Sequence, residues 1–185
     1  MTSTLRTLTL AAASAALLLS LAACSTATPE TAASTPAASD EAVASVIEGA
    51  CVDDAGVTVV VDSAALEGGS AQEWCVPTDT AIGAADALAA ADVETEGTDQ
   101  YGDQVVCRVN GVPAEDLAIA AEDGSEYFEE CATMSPEFAY WSLWVQPAGG
   151  EWGFAQEGLS TLQLEPGDGV ELLFTLHGEP AAPVS

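Results

Sequence analysis

Positive charge is almost absent from this sequence. Its 185 residues include two that are lysine or arginine, against 30 aspartates and glutamates, which gives a formal net charge of −28 at pH 7. Proteins that bind nucleic acids need clusters of Lys and Arg to face the phosphates, and electrostatic docking on anionic lipid needs the same clusters. The composition therefore excludes nucleic-acid binding and disfavours an electrostatic attachment to membranes.

Motifs for catalysis and metal binding are also scarce. His177 is the only histidine, and no G-x-S-x-G nucleophile elbow is present. The sequence therefore offers no nucleophile and no orienting acid that would make His177 the base of a catalytic triad. No stretch matches the D-x-[DN]-x-[DN]-G calcium loop, and no C-x₂-C pair stands beside a second histidine to hold zinc. We therefore predict no catalytic residues, no enzyme activity, no metal and no cofactor.

The large excess of acid has two explanations. It favours a solvated surface that resists aggregation, as in salt-adapted or exported proteins with few lysines. It also suits the attraction of cationic ligands. The sequence alone does not separate these alternatives.

The N-terminus has the pattern of an export signal. Arg6 precedes an apolar stretch, residues 8–21, that is shorter than the roughly 20 residues a membrane-spanning helix needs. The stretch ends in Leu21-Ala22-Ala23-Cys24, which matches the bacterial lipobox. We expect residues 1–23 to be a lipoprotein signal peptide and Cys24 to be lipidated. The two acyl chains would then hold the protein on the outer face of the cell membrane.

Composition divides the rest of the chain. Residues 25–40 are mostly Ala, Ser, Thr and Pro, and they bury too little apolar surface to offset the entropy of ordering. We therefore expect Cys24 and a disordered, flexible stalk over 24–41, a single domain over 42–178, and a flexible tail over 179–185.

Four cysteines remain besides Cys24, and an even number in an oxidising compartment predicts two disulfides. Cys51 and Cys75 are separated by the same distance along the sequence as Cys107 and Cys131. The equal spacing favours pairing of neighbours, although the three possible connectivities stay open at this point. Zinc is the competing interpretation of these thiols.

Hydrophobic patterning predicts strands and one helix. Runs of β-branched and aromatic residues indicate strands at 57–62, 104–109, 138–146 and 170–175, the last with a lead-in at 162–164. Residues 81–91 predict the helix, with Thr80 as its N-cap and with Ile82, Ala85, Leu88 and Ala89 at helical spacing. The order of elements predicts an α+β domain in which one main helix covers a mixed, β-grasp-like sheet.

Aromatic residues gather in the C-terminal part, where the strand 138–146 and the segment 152–154 predict a hairpin. Flat rings stack on sugars, peptides or corrins, so these residues are the candidate ligand surface. We expect Trp141 to lie in the core and Tyr140, Trp144 and Trp152 to be exposed. The predicted ligand-binding residues are Tyr140, Trp144, Trp152, Phe154 and Arg108. For Arg108, the only strong cation after residue 23, an ion pair that pins a strand is the favoured alternative.

The stretch 80–174 resembles the transcobalamin C-terminal-like domain of many bacterial surface proteins. The motifs that carry the resemblance are Thr80-Ala81-Ile82, Val109-Asn110-Gly111, Tyr140-Trp141-Ser142-Leu143-Trp144-Val145 and Leu164-Glu165-Pro166-Gly167-Asp168-Gly169-Val170. The Tyr-Trp-Ser-x-Trp strand is similar to that of actinobacterial members, which are exported proteins of unassigned activity, some of them associated with cobalt or cobalamin uptake.

The resemblance implies a β-grasp domain that binds a ligand or partner and does not catalyse. In transcobalamins the related domain caps a corrinoid held against a helical barrel. This sequence has no such barrel, so a corrinoid would need a partner protein such as a transporter. The leading hypothesis is an accessory to the uptake of a corrinoid or similar small molecule. The alternative is a cell-envelope interaction or adhesion module that binds a protein or glycan.

Overall fold

A computed structural model describes residues 45–178. They belong to the second of two units into which the chain divides, Glu41–Ser185. The predicted signal peptide 1–23, the lipidated Cys24, the stalk 24–41 and the tail 179–185 lie outside the described residues. The elements are, in chain order, β1 (Ile47–Glu48), β2 (Gly56–Asp62), β3 (Ala71–Pro77), β4 (Ile82–Gly83), α1 (Ala84–Ala90), β5 (Thr95–Thr98), β6 (Gly102–Val109), β7 (Ile119–Ala120), β8 (Glu126–Tyr127), β9 (Ala139–Gln146), β10 (Gly153–Phe154), β11 (Gln163–Leu164) and β12 (Gly169–Leu176).

Six strands form the main sheet, in the order β1-β3-β2-β12-β9-β10. The last strand of the chain, β12, lies at the centre, parallel to β2 and antiparallel to β9. All other neighbours in this sheet are antiparallel. Three two-stranded sheets, β11-β4, β5-β6 and β7-β8, surround it. The prediction of a mixed sheet with one helix is therefore confirmed for the described residues.

The hydrophobic core lies on one face of the main sheet. Val170, Leu172 and Phe174 alternate along β12 and are each no more than 3% exposed. Because side chains alternate along a strand, these three point to the same side. The helix contributes its buried residues to the core, which are Ala84, Ala87 and Leu88. Burial of each large side chain in this layer stabilises the domain by about 2 kcal/mol.

The opposite face of the sheet carries a hydrogen-bonded polar group. The Ser142 hydroxyl donates to the backbone carbonyl of Leu173 at 2.9 Å and accepts from Trp144 Nε1 at 3.0 Å. It also lies 3.3 Å from the Thr175 hydroxyl. Ser142, Trp144 and Thr175 are each 5% exposed. Their polar atoms satisfy one another, which permits burial at low cost.

Glu171 lies on that same face, in the central strand and only 4% exposed. Burial, with smaller contributions from the negative charges of Asp62 and Glu73, raises the pKa of its carboxyl to about 7. A carboxyl that is poorly hydrated and faces like charges favours its neutral form. The neutral form of this carboxyl is therefore the one that the central strand favours.

The predicted strands and turns agree closely with the structure. The strand predicted at 57–62 is β2, that at 104–109 is β6, and that at 138–146 is β9. The predicted hairpin is formed by β9 and β10, which pair antiparallel. The lead-in at 162–164 is a separate strand, β11, which leaves the main sheet and pairs with β4.

The predicted start of the helix is wrong. Residues 81–91 with a Thr80 cap were the expectation, but α1 starts after Gly83, which makes no side-chain capping bond. The preceding residues are held in β4 by pairing with β11, and the Ala84 N–H donates to the Leu162 carbonyl at 2.9 Å. Pairing of β4 with β11 thus moves the start of the helix to Ala84. Within the part of the chain that the structure describes, no helix is long and apolar enough to span a membrane.

The buried face of the helix also differs from the prediction. Of the residues noted at helical spacing, Leu88 is buried but Ala85 and Ala89 are exposed. Ala84 and Ala87 are buried instead, on the same side as Leu88. Alanine is common on both faces of this helix, so the hydrophobic periodicity along it is weak.

Both disulfides join the neighbours that the equal spacing favoured. Cys51 is bonded to Cys75, and Cys107 is bonded to Cys131. The first bond ties the segment before β2 to β3. The second ties β6 to the segment after β8, which forms part of the groove described next. A zinc site at these thiols is not present, because all four sulfurs are oxidised.

Candidate binding groove

A groove of about 1180 Å³ runs along β9 on the side where β10 covers only the end of the strand. We call it the β9 groove. Its walls come from the start of β6, from the β7–β8 turn, and from the segments before β9 and after β10. The residues that line it are Asp103, Gln104, Val105, Val106, Ala121, Glu122, Asp123, Ser125, Met134, Ser135, Pro136, Glu137, Phe138, Tyr140, Trp141, Leu143, Phe154, Glu157, Gly158, Leu159, Leu172 and Gly178.

Two of the five predicted ligand-binding residues line the groove. Tyr140 is partly buried in β9, and Phe154 in β10 is 49% exposed. Trp141, which was expected in the core, is 8% exposed and edge-on to Phe174 at 5.3 Å, yet part of it also borders the groove. Aromatic and aliphatic side chains therefore form an apolar floor of the kind that binding grooves use.

The expected exposure of Trp144 is wrong. It shares a face with Tyr140, as predicted, but Phe154 on the neighbouring strand stacks on it with ring centroids 4.0 Å apart. The two residues are register partners across β9 and β10. The exposed ring of this pair is Phe154, while Trp144 is covered and bonded to Ser142. The sequence could not show which ring of a cross-strand pair lies outside.

Trp152 is partly buried and lies away from the groove. A Cβ placed on Gly169 would stand 2.9 Å from Trp152 Cη2, so the ring lies close to the backbone at the start of β12. Glycine at position 169 is what allows this approach. Trp152 Nε1 is the one buried side-chain polar atom without a hydrogen-bond partner among residues 45–178. Trp152 does not join Tyr140 and Phe154 in a single surface.

The floor of the groove includes a strand edge that no other strand covers. β9 pairs with β12 through all eight residues, but with β10 only at Val145 and Trp144. Further along that edge, the Ala155 N–H donates to the Leu143 carbonyl at 3.0 Å. At the other end, the Ala139 N–H donates to the Pro136 carbonyl at 3.0 Å.

Trp141 lies between these two bonds. Backbone groups of alternate residues in a strand point to opposite edges. Because Ala139 and Leu143 direct theirs away from β12, Trp141 does the same. Within residues 45–178, no hydrogen bond reaches the backbone N–H or C=O of Trp141 from that side. At Trp141 the edge thus presents one backbone donor and one backbone acceptor.

The walls of the groove are acidic. Five carboxylates line it, namely Asp103, Glu122, Asp123, Glu137 and Glu157. All five residues are exposed, so they are hydrated and do not pay a burial penalty. Hydrogen bonds from the side chain and backbone of Ser125 lower the pKa of the Asp123 carboxyl. The groove therefore combines an apolar floor with a strongly negative rim.

Arg108 is not at the groove. It is 4% exposed and its guanidinium is held by its own chain: Nε donates to the Pro113 carbonyl at 2.9 Å and Nη1 to a Glu96 carboxylate oxygen at 3.0 Å. Nη1 also approaches Cys131 Sγ at 3.1 Å, and Nη2 donates to the Glu129 carbonyl. This arrangement is the strand-pinning ion pair that was the favoured alternative. It leaves Arg108 without a surface for an anionic ligand.

A buried carboxylate, that of Glu129, holds the groove wall that contains Ser135. Glu129 is 3% exposed and accepts three hydrogen bonds. Its donors are the Tyr127 hydroxyl, the Ser135 hydroxyl and the Cys131 N–H, each at 2.7 Å. Burial, together with the bond to Glu129, raises the pKa of the Tyr127 hydroxyl. Because Ser135 lines the groove, this network sets the position of that wall.

One cluster has the composition of a metal site. Ligand atoms of Glu96, Cys107 and Cys131 lie within 4.8 Å of one another. The two sulfurs, however, form a disulfide, so neither is a thiolate. The Arg108 guanidinium contacts both Glu96 and Cys131, which places a positive charge where a cation would bind. The residues do not fit a metal ion.

His177 is exposed at the end of β12. Its ring stacks on Phe138 at a centroid distance of 5.8 Å and its backbone N–H donates to the Phe138 carbonyl at 2.8 Å. Phe138 in turn lines the groove. These contacts give His177 a place in the packing around β9.

Comparison with known proteins finds no match. No family model matches the chain, and neither a curated protein nor a solved structure is similar to it. The site is therefore described by its own residues. Sequence reasoning identified Tyr140 and Phe154 but missed the open edge at Trp141 and the acidic walls, whose members are spread over residues 103–157. The only available signal was the excess of acid itself.

Proposed function

We propose that this chain is a lipid-anchored, non-enzymatic binding module on the outer face of the cell membrane, and that the β9 groove is its binding site. The groove carries this proposal: it is large, apolar at its floor, and open to Phe154 and Met134, which are 49% and 58% exposed. Exposed apolar side chains grouped at a concave surface mark a place where a ligand or partner is buried.

The proposed fold is a β-grasp. Its support is the strand order: β3 and β2 form a first hairpin, α1 follows, β9 and β10 form a second hairpin, and β12 inserts between the two hairpins parallel to β2. A parallel pair that is formed by the first and last long strands needs a crossover, which the helix supplies. The resemblance to the transcobalamin C-terminal-like domain points the same way.

The proposed anchor is the lipid on Cys24. Its support is the Leu21-Ala22-Ala23-Cys24 motif and the pairing of the four other cysteines with one another. Cys24 is then the one cysteine without a disulfide role. A diacylglyceryl group, at about 0.8 kcal/mol per buried CH₂, gives durable attachment. The domain would be displayed outside the cell with its groove accessible.

The first candidate ligand is a corrinoid or a similar small molecule, delivered to or received from a transporter. Titration of the purified full chain with cobalamin and cobinamide tests it, with tryptophan fluorescence as the readout, because Trp141 borders the groove. We expect the ligand to quench tryptophan fluorescence. Phe154→Ala should weaken the affinity measured in this way by about fivefold, because a stacking ring is lost. The matched control is Phe128→Ala, since Phe128 is 41% exposed and lies outside the lining. Absence of quenching removes this candidate.

The second candidate function is a cell-envelope interaction module that binds a protein or glycan. The specific observation that favours it is the uncovered edge of β9, because backbone donors and acceptors in a groove suit a polypeptide better than a corrin ring. Of the two candidates, the geometry supports this one better. Crosslinking of the full chain on intact cells should recover one dominant partner, and a diffuse background would contradict it.

A further inference from the structure

We infer that the β9 groove receives an extended, lysine- or arginine-rich segment of a partner protein, which adds as a strand to the edge of β9 at Trp141. The inference rests on the proposed function, in that it names the partner chemistry of the proposed site. It depends on three features: the open backbone edge, the spacing of apolar and acidic walls, and the charge of the whole chain.

The edge supplies the register. Trp141 directs both its N–H and its C=O away from β12, at the edge that borders the groove, and this is the arrangement of a hydrogen-bonded residue pair in an antiparallel ladder. On either side of Trp141, the Ala139 N–H and the Leu143 carbonyl are already hydrogen-bonded within the chain. An incoming strand therefore has one residue that exchanges two backbone hydrogen bonds with Trp141. Its neighbours are placed over Phe154 and Met134 or toward the walls.

The backbone at Trp141 is available because the rest of the residue is anchored elsewhere. Trp141 Nε1 donates to the Val112 carbonyl at 3.1 Å, and its ring packs edge-on against Phe174. The side chain is thus committed to the core while the peptide group faces the groove. A rigid edge of this kind accepts a strand without reorganisation, which is what favours strand addition.

The walls select the side chains of the segment. Glu137 lies just before β9 and Glu157 after β10, and Asp103, Glu122 and Asp123 extend the acidic rim. Arg108, the only cation among the described residues, is buried and bonded to its own chain. Opposite charge across an interface raises the association rate and rejects acidic partners. Lys or Arg at alternate positions of an extended segment meets this rim.

A second copy of this chain is the obvious competing occupant of an open strand edge. Its formal net charge of −28 at pH 7 opposes that pairing, since two acidic rims would face each other. Self-association through β9 is therefore disfavoured, and a basic partner is what the charge favours.

The probe is a synthetic heptapeptide in which Lys and Val alternate, titrated into the purified full chain. We expect binding that weakens with salt and that slows hydrogen exchange of the Trp141 N–H by at least about tenfold at saturation. Two comparison peptides dissect the interaction. One alternates Glu and Val, and the other keeps Lys and Val but carries N-methyl groups on alternate residues, which removes the backbone donors of one edge. Neither should bind measurably.

Charge reversal locates the site. Glu137→Lys with Glu157→Lys should weaken binding of the Lys-Val peptide by about tenfold or more. The matched control is Glu67→Lys with Glu115→Lys, which changes the net charge equally at exposed acids outside the groove. The control pair should alter the affinity by less than about threefold, because distant exposed charges are screened. All four positions are exposed, so both variants should unfold at the wild-type temperature.

The outcomes separate this inference from the proposed function. If the N-methylated peptide binds as tightly as the Lys-Val peptide, or if the Trp141 N–H is not protected from exchange, strand addition is overturned. If the groove variants still change the affinity in that case, the proposed binding module stands. Binding of cobalamin without binding of the peptide would likewise overturn strand addition and leave the proposed binding module standing. Dimerisation of the full chain through β9, seen by light scattering, replaces the basic partner by a second copy. Binding of no probe, with no effect of either variant, counts against both.

Discussion

Replacing Glu171 by glutamine should make the domain more stable at high pH and leave it nearly unchanged at low pH. The wild-type carboxyl lies in the central strand, and its pKa is raised from 4.5 to about 7 by burial and by the charges of Asp62 and Glu73. The folded state therefore holds this proton more tightly than the unfolded state does. That advantage is present below pH 4.5 and is lost as the pH rises to about 7.

The magnitude follows from the two pKa values. Each pH unit between them corresponds to about 1.4 kcal/mol, so the interval from 4.5 to about 7 amounts to at most about 3.5 kcal/mol of unfolding free energy. Charges in protein interiors are screened by an effective dielectric of about 20, which reduces this to roughly 1 to 2 kcal/mol. Glutamine has nearly the same shape and stays neutral, so the variant should gain that amount over wild type above pH 7.

The assay is urea unfolding of the full chain under non-reducing conditions, followed by tryptophan fluorescence at several pH values from 4.5 to 8. The other carboxylates also repel one another more as the pH rises, so the quantity to compare is the difference between wild type and Glu171→Gln. Glu73→Gln is the matched control and should give a smaller gain. A parallel loss of stability by Glu171→Gln and wild type across this range would show that the Glu171 carboxyl does not contribute to the pH dependence.

Three further predictions concern other parts of the chain. Arg108→Met should destabilise the domain by about 3 kcal/mol in urea unfolding, because buried carbonyls lose their donor; a loss below about 1 kcal/mol would contradict the buried role. Phe154→Ala should expose Trp144, shift tryptophan emission to longer wavelength and lower stability by about 1 kcal/mol; an unchanged emission maximum would argue against the stack. Cys24→Ser should release the protein into the medium or leave it unprocessed on cell fractionation, and normal membrane retention would exclude the lipid anchor.

Strands with a strong local signal could be predicted from the sequence. β2 is a run of valines, and β9 is rich in aromatic residues, so both were expected close to their observed bounds. The equal spacing of the cysteines favoured the disulfides that are present. In each case neighbouring residues carry the information, and tertiary contacts do not overrule it.

Features that depend on distant parts of the chain could not be predicted. β3 was missed because its first residues, Ala71, Gln72 and Glu73, are exposed and give no strand pattern. The start of α1 is set by pairing of β4 with β11, far along the sequence. Likewise, Trp144 is buried because Phe154 covers it, and the edge at Trp141 is open because β10 ends early. An aromatic strand can be predicted from its own residues. Which of its rings or edges is exposed depends on neighbouring strands and cannot.

The most direct test of the binding module is photo-crosslinking on intact cells. A photoreactive phenylalanine analogue replaces Met134, which is 58% exposed in the groove, or Val52, which is 73% exposed outside it. We expect one strong adduct from position 134, lost when Glu137→Lys and Glu157→Lys are added, and none from position 52. The same adducts from both positions, or none from position 134, would contradict the claim that the β9 groove is the binding site.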